Sequence, residues 1–408
     1  MTLKSNPTFF ASCSKHLEEL LEGEARTFGC ENITQQNGGV SFNSSHETCL
    51  EFLLHTRIAS RVFMKTSDFS IQSLNELYGQ VKSHSWQNVF SLNQTFKIKT
   101  IFDPAAKRIF KNSILFSQKA KDGIVDHFRE KTSKRPSVDT QDPDISILIR
   151  VEEVSEKKWK VTFYLDLCHL PLSQRGYRQN SGEAPLRENL AAGIIMLTDW
   201  DPDKDLFVDS MCGSGTLSIE AALISAQIPP TFLKIKSYIE DKNKPFSFLK
   251  HRWFTKNKEL KEYFYKRAES LYNEIEQKIK TLSKKQFYAS DWDNRVLKTA
   301  RDNFEKMNLE NIIHLKKQNA LKLPPPNKDG KGIIICNPPY GIRLGEEEKL
   351  KELYRDYGEN LKKNFKGFRA YILTGNMNLR KQISLSTSKR IPLYNGTIEC
   401  RLLKYDLY

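Results

Sequence analysis

The 408-residue chain carries 64 Lys and Arg against 49 Asp and Glu, a formal excess of +15, and 39% of its residues are hydrophobic. That apolar content is enough for two or three packed cores and excludes wholesale disorder, while the positive balance favours a polyanion, nucleic acid before an acidic membrane. No apolar run approaches the roughly 20 residues of a membrane span, the first residues lack a secretory signal, and seven scattered cysteines without a Cys-x-x-Cys pair fit neither a disulfide framework nor a zinc site. A cytoplasmic protein without membrane or metal is expected.

In chain order, Ser14 stands before Leu17, Leu20, Leu21 and Ala25, which predicts an N-capped amphipathic helix from residue 15. Asn37-Gly38 reads as a turn entering a strand, and a second helix is expected from residue 45 or 47 to 59, with Leu50, Leu53, Leu54 and Ile58 inward. Residues 1–60 thus read as a small α+β module. From 61 to 168, period-two runs at 95–100, 144–151 and 158–167 predict strands, and 113–130 predicts a helix burying Ala120, Ile124, Val125 and Phe128. Lys119 and Lys121 on that helix, with Lys134 and Arg135 after it, form a basic face, for which solvation alone is the plainer account.

A third unit is placed at 169–408. A helix is expected over 185–197, with Pro185 in its first turn, and strands at 205–209, 287–291, 311–315 and 332–336 alternate with helices at 216–226 and 294–307. Short apolar strands spaced by helices predict an α/β, doubly wound parallel sheet. Residues 232–285 interrupt it as a Lys-rich, mostly helical insertion, placed either against RNA or as a brace for the sheet.

Four motifs carry chemistry. Asp209-Ser210-Met211-Cys212-Gly213-Ser214-Gly215-Thr216 joins a strand to a helix; its glycines allow a tight turn, and the helix end offers free N–H donors. It lacks the Lys of a phosphate-cradling loop and the spacing of the dinucleotide fingerprint. The acidic residue at the strand end suits a ligand with a cationic amine, such as S-adenosylmethionine; a purely structural turn is the alternative. Asp291-Trp292-Asp293, at the next strand end, offers carboxylates to ribose hydroxyls, and Asn319-Ala320 offers a side-chain amide to an adenine edge. The fourth, Asn337-Pro338-Pro339-Tyr340, follows an apolar strand. An exocyclic amine on a base is a poor nucleophile because its lone pair is delocalised. An Asn oxygen and a proline-fixed carbonyl accept its protons and localise that pair, and Tyr340 offers a stacking face. Asn337 also adjoins the expected cofactor position.

In this order the motifs resemble class I S-adenosylmethionine-dependent methyltransferases that modify amino nitrogens. Arg135-Pro136-Ser137-Val138-Asp139, Asp142-Pro143-Asp144-Ile145 and Leu165-Asp166-Leu167 resemble the THUMP RNA-binding domain and its flanks. Arg175-Gly176-Tyr177-Arg178, Gly182-Glu183-Ala184-Pro185-Leu186 and Leu393-Tyr394-Asn395-Gly396 resemble the bacterial 23S rRNA guanine-N2 methyltransferase family, the RlmL/YpsC group. The resemblance implies a ferredoxin-like module, a THUMP domain and a Rossmann-like catalytic domain. Asp209 and Gly213 to Thr216 would line the methionine part of the cofactor, Asp291 and Asp293 the ribose, Asn319 the adenine, and Asn337 to Tyr340 the target guanine. Arg175, Arg178 and Arg343 would lie near the RNA path, with Arg108, Lys119, Lys121, Lys134 and Arg135 on the THUMP face. Ser210 departs from the family's usual Pro, and Asn319 from an often acidic residue. With Tyr408 last, the second methyltransferase domain of some relatives is not expected, and the chain is taken as a monomer. Methylation of tRNA, methylation of adenine N6 or protein glutamine, and a catalytically silent RNA binder remain the rival readings.

Overall fold

The computed structural model describes residues 6–155, 157–178, 186–282, 286–327, 330–339 and 347–408. The amino-terminal half is built on one seven-stranded sheet, from β1 (Thr8–Ser12), β2 (Glu31–Gln36), β3 (Gly39–Asn43), β4 (Arg61–Ile71), β5 (Phe96–Phe102), β6 (Ile145–Ser155) and β7 (Lys158–Asp166), in the order β2-β3-β1-β4-β7-β6-β5. β4 pairs antiparallel with β1 on one side and β7 on the other, so the residues before and after position 60 share a sheet. Alternation decides which face is which. Val161, Phe163 and Leu165 of β7 enter the main core, while Tyr164 joins Phe10, Phe63 and Leu148 in a small cluster of its own.

The helix Ser113–Thr132 covers the core face and buries Phe116, Ala120, Ile124 and Phe128 at intervals of four. The Asn112 side chain caps it, accepting from the N–H groups of Ile114 and Leu115. The first helix begins at Glu18 rather than 15, because Ser14 to Leu17 close a turn with His16 at φ +72° and Ser14 provides no side-chain cap. The second ends at His55 rather than 59. Thr56 turns extended there and donates its hydroxyl to Glu24, so Ile58 and Ala59 are buried beyond the helix.

The carboxy-terminal half contains β8 (Leu206–Asp209), β9 (Phe287–Asp291), β10 (Ile313–Lys317), β11 (Gly332–Cys336), β12 (Arg369–Thr374), β13 (Lys389–Asn395) and β14 (Ile398–Asp406), in the order β10-β9-β8-β11-β12-β14-β13. The first five are mutually parallel; β14 runs antiparallel to β12 and forms a hairpin with β13. β8 and β11 are apolar and buried along most of their length, as a doubly covered sheet requires. The helix expected to start at Pro185 is seen as Glu188–Met196; Pro185 itself lies outside the described residues.

The two halves meet through buried polar bonds as well as apolar contact. Asn189 donates to Ile58 O and the Ser60 hydroxyl, and Arg57 donates to Leu223 O and Ile228 O. Within the 232–285 insertion, the helix Lys258–Thr281 packs against the helix His46–His55. Tyr263 and Arg267 both reach Glu51, at 2.9 and 2.8 Å. The insertion therefore ties the amino-terminal module to the carboxy-terminal half.

Candidate active site

Between β8 and β11 the strand order reverses, and the carboxyl ends of such neighbours open the crevice where open α/β sheets bind ligands. A cleft of about 410 Å³ lies there. Each motif enters it from a different strand end: Met211 and Gly213 after β8, Asp291 and Trp292 after β9, Asn319 and Ala320 after β10, and Asn337, Pro338 and Pro339 after β11.

The turn after β8 needs its glycines. Gly213 (φ +52°) and Gly215 (φ +80°) occupy the left-handed region, and a Cβ on Gly215 would stand 2.4 Å from Phe304 Cε1. Neighbouring loops hold the turn: Cys212 N–H donates to Ser290 O, Gly213 N–H to Asp291 Oδ2 at 3.0 Å, and Asn303 to Ser214 O. Asp209, Cys212 and Thr216 lie behind the lining rather than on it, all buried. Asp209 is fully buried. Its Oδ2 accepts from Ser218 at 3.0 Å, and its Oδ1 has no hydrogen-bond partner. Burial, with the nearby Asp291 charge adding to it, pushes the Asp209 carboxyl up to about 7 against the Ser218 bond.

Asp291 sits where a ribose carboxylate is expected, although its Oδ1 already accepts from the Asp293 N–H. Asp293 is turned away: it caps the helix Asn294–Lys306 and pairs with Arg295 at 2.8 Å. Asn319 Oδ1 accepts from the Leu321 N–H at 2.9 Å, so a ligand would meet the rest of that amide. Burial raises the Cys336 thiol to about 12 and pushes Cys212 well up; both pack rather than react. Among the described residues no group of His, Cys, Asp and Glu is placed to hold a metal.

One helix, Glu347–Asn364, reaches three of these loops. Tyr354 OH donates to Pro339 O at 3.4 Å, Tyr357 OH bonds the Ser210 hydroxyl at 2.7 Å, and Asn360 donates to Ala320 O and Leu323 O. Positions 354, 357 and 360 follow the helical repeat and share a face. Ser210, the departure in the glycine turn, thus supplies a bond that Pro could not. The sequence reading passed over Gln318, Leu353, Asn395 and Ile398 as lining residues. Only Asn395 carried a local signal, the Asn395-Gly396 turn between β13 and β14.

The basic residues separate into two groups. Arg108, Lys134 and Arg135 are exposed, Lys119 is half-buried, and Lys121 pairs with Asp122. Arg175 borders a second cleft, but its side chain is fully buried, donating to Glu220, Leu172 O and Arg57 O. Its guanidinium is thus already engaged in joining the two halves. Arg178 is also largely enclosed and donates to Leu186 O and Thr216 Oγ1. Tyr340 and Arg343 lie outside the described residues.

Family models match the chain in three consecutive stretches: an RlmL ferredoxin-like domain at residues 8–63, a THUMP domain at 72–155 and an RMKL-like methyltransferase domain at 175–404. The chain belongs to the RMKL-like methyltransferase family. A Synechocystis sp. relative, provisionally named an RNA methyltransferase, is 32% identical over 98% of this chain and 97% of its own length. The ribosomal RNA large subunit methyltransferase K/L of Syntrophotalea carbinolica is 34% identical over 98% of this chain and 53% of its own. The chain spans about half the length of the K/L relatives it matches. A solved structure, SMU.472, provisionally called a methyltransferase and complexed with SAH, aligns at TM-score 0.79 and 26% identity, covering 100% of this chain and 99% of that one. The α/β catalytic domain behind ferredoxin-like and THUMP units is therefore the fold of this family.

Proposed function

We propose that the chain transfers a methyl group from S-adenosylmethionine to the exocyclic N2 of a guanine in 23S ribosomal RNA, in the cytoplasm. The observation that carries this reading is the convergence of Asn337, Pro338 and Pro339 with the glycine turn and Asp291 on one cleft at the sheet's reversal point. The residues fit the cofactor. The orphaned Asp209 Oδ1 leaves a buried acceptor behind the turn for an amino group, Asp291 faces ribose hydroxyls, and Asn319 and Ala320 border the adenine position. When bound, that cofactor supplies an electrophilic methyl group on a sulfonium.

The chain's own part is orientation. Pro338 is buried two residues after the central strand β11, which is itself paired on both sides, with β8 and β12. The Asn337 side-chain oxygen and the Pro338 carbonyl accept from the guanine amino group, which localises its lone pair towards the methyl donor. Once methylated, that nitrogen is cationic and acidic, and water can take its proton. Exposed Arg108, Lys134 and Arg135 on the first half, which is hydrogen-bonded to the catalytic half, supply contacts to RNA phosphates.

The test incubates the purified chain with labelled cofactor and separately with 23S rRNA and tRNA, followed by nucleoside mass spectrometry. N2-methylguanosine on the rRNA is the expected product. Product on tRNA alone, or N6-methyladenosine, overturns the assignment. Asn337→Ala should lower kcat about 100-fold or more while leaving the cofactor Kd nearly unchanged, because its bonds strengthen as the lone pair reorganises. Equal losses in both would contradict that role.

A further inference from the structure

A second cleft, of about 980 Å³, opens where the first sheet's connections meet the catalytic half. Its walls are unusually cationic. Arg61 and Arg178 are engaged, by Asp166 and by Leu186 O with Thr216, but Arg187, Lys234, Lys236 and Lys306 have no hydrogen-bond or ion-pair partner among the described residues. Of the two carboxylates in the lining, Glu188 lies 3.7 Å from Arg178, and Glu240 is exposed.

Lys234 is the unusual member. It lies on the helix Phe232–Glu240, whose Phe232, Ile235 and Tyr238 are buried, and it is itself only 7% exposed. A buried ammonium without an ion-pair partner is costly; Glu188 attracts it only at longer range and also interacts with Arg178, and an apolar side chain of the same length would fill the space without that cost. Burial lowers its ammonium to about 8, so it is still mostly charged at neutral pH. A cation kept there at a cost is explained by an anion that arrives from outside. Arg178, which lines the same cleft, donates to Thr216 at the start of the helix that follows the glycine turn. A single guanidinium therefore links this cleft to the cofactor turn.

We infer that this cleft is a phosphate subsite, in which Lys234 receives a backbone phosphodiester of the RNA substrate and Arg187, Lys236 and Lys306 line the rim. The inference rests on the RNA reading above and adds a place, within the catalytic half, where the strand is gripped near the target nucleotide. Arg175 lines the same cleft, but its guanidinium is held by Glu220, Leu172 O and Arg57 O, whereas Lys234 has no hydrogen-bond or ion-pair partner among the described residues.

The experiment compares wild type, Lys234→Met and Lys234→Arg as full-length chains. Methionine keeps the length and apolar stem, and arginine keeps the charge. RNA affinity is measured across a salt series, and inorganic tripolyphosphate is used as a small probe in thermal melts. Lys234→Met should weaken RNA binding about tenfold at low salt, reduce the salt slope by about 0.7 to 0.9, and abolish the rise in melting temperature that tripolyphosphate gives the wild type. Lys234→Arg should restore most of each, and the cofactor Kd should not move. Unchanged RNA affinity and slope in Lys234→Met overturn the inference. So does loss of the tripolyphosphate response alone, which would mark a site for a free anion. If wild type binds RNA through Lys234 yet makes no N2-methylguanosine, the proposed reaction fails while this subsite stands.

Discussion

Replacing Asp209 by Asn tests the electrostatics of the cofactor turn without any ligand. The carboxyl is fully buried, bonded through one oxygen to Ser218, and titrates at about 7 instead of the usual 3.8. Because the folded-state pKa is raised, the folded protein holds this proton more tightly than the unfolded chain. Stability from this group is therefore greatest at low pH and falls as pH climbs from about 4 to about 7. Each full pH unit in that window is worth about 1.4 kcal/mol, so wild type loses about 2.3 kcal/mol between pH 5 and pH 7, where the folded carboxyl is half ionised, and about 0.4 kcal/mol more above. Asn carries no such titration. The stability gap between Asp209→Asn and wild type should widen by that amount up to pH 7 and then level off. If the catalytic unit of about 230 residues melts together, the widening corresponds to about 5 °C. Paired thermal melts at pH 5, 6, 7 and 8 measure it. A gap that does not change with pH would show that the carboxylate is already neutralised, and would remove the argument that it waits for a cationic amine.

Three further perturbations bear on other parts of the molecule. Gly215→Ala places a Cβ against Phe304 in a left-handed conformation, and should cost about 2 kcal/mol or more and weaken cofactor binding; calorimetry showing neither would refute the geometry of the turn. Arg175→Met removes the hydrogen-bonded partner of buried Glu220 and leaves it only the more distant Arg57 charge, with a cost of about 3 kcal/mol in chemical denaturation, while the salt slope of RNA binding stays unchanged; a reduced slope would make Arg175 itself an RNA contact. The double charge reversal Lys134→Glu, Arg135→Glu should lower RNA affinity and flatten its salt dependence by about one contact per residue, with the melting temperature unaffected; an unaltered slope would show that this face is idle.

What the sequence revealed depended on how local the governing physics was. The strands β8, β9 and β11 were legible because short apolar runs between helices have few other uses, and the loops at their ends followed from glycine and proline chemistry. The helix at 18–27 was misplaced by three residues because a Ser before a leucine repeat resembles a cap, whereas a turn at His16 intervenes. Arg175 was placed near the RNA path by the family resemblance alone; its burial depends on Glu220, 45 residues further on, and on a carbonyl from the other half of the chain. Tyr357 was invisible for the same reason, since its partner Ser210 lies 147 residues away. Asn319 was recognised by position, but its local bond to Leu321 was not.

The helix Glu347–Asn364 bears on any attempt to redesign the enzyme. Because Tyr354, Tyr357 and Asn360 fasten the acceptor loop, the glycine turn and the loop after β10 to one rod, none of those loops is a separable module. Transplanting the Asn-Pro-Pro segment from a relative with a different target base would import a backbone shaped by another rod. A workable chimera has to exchange the segment and the helix together, and on the proposed function a change of target base would shift the cofactor turn as well.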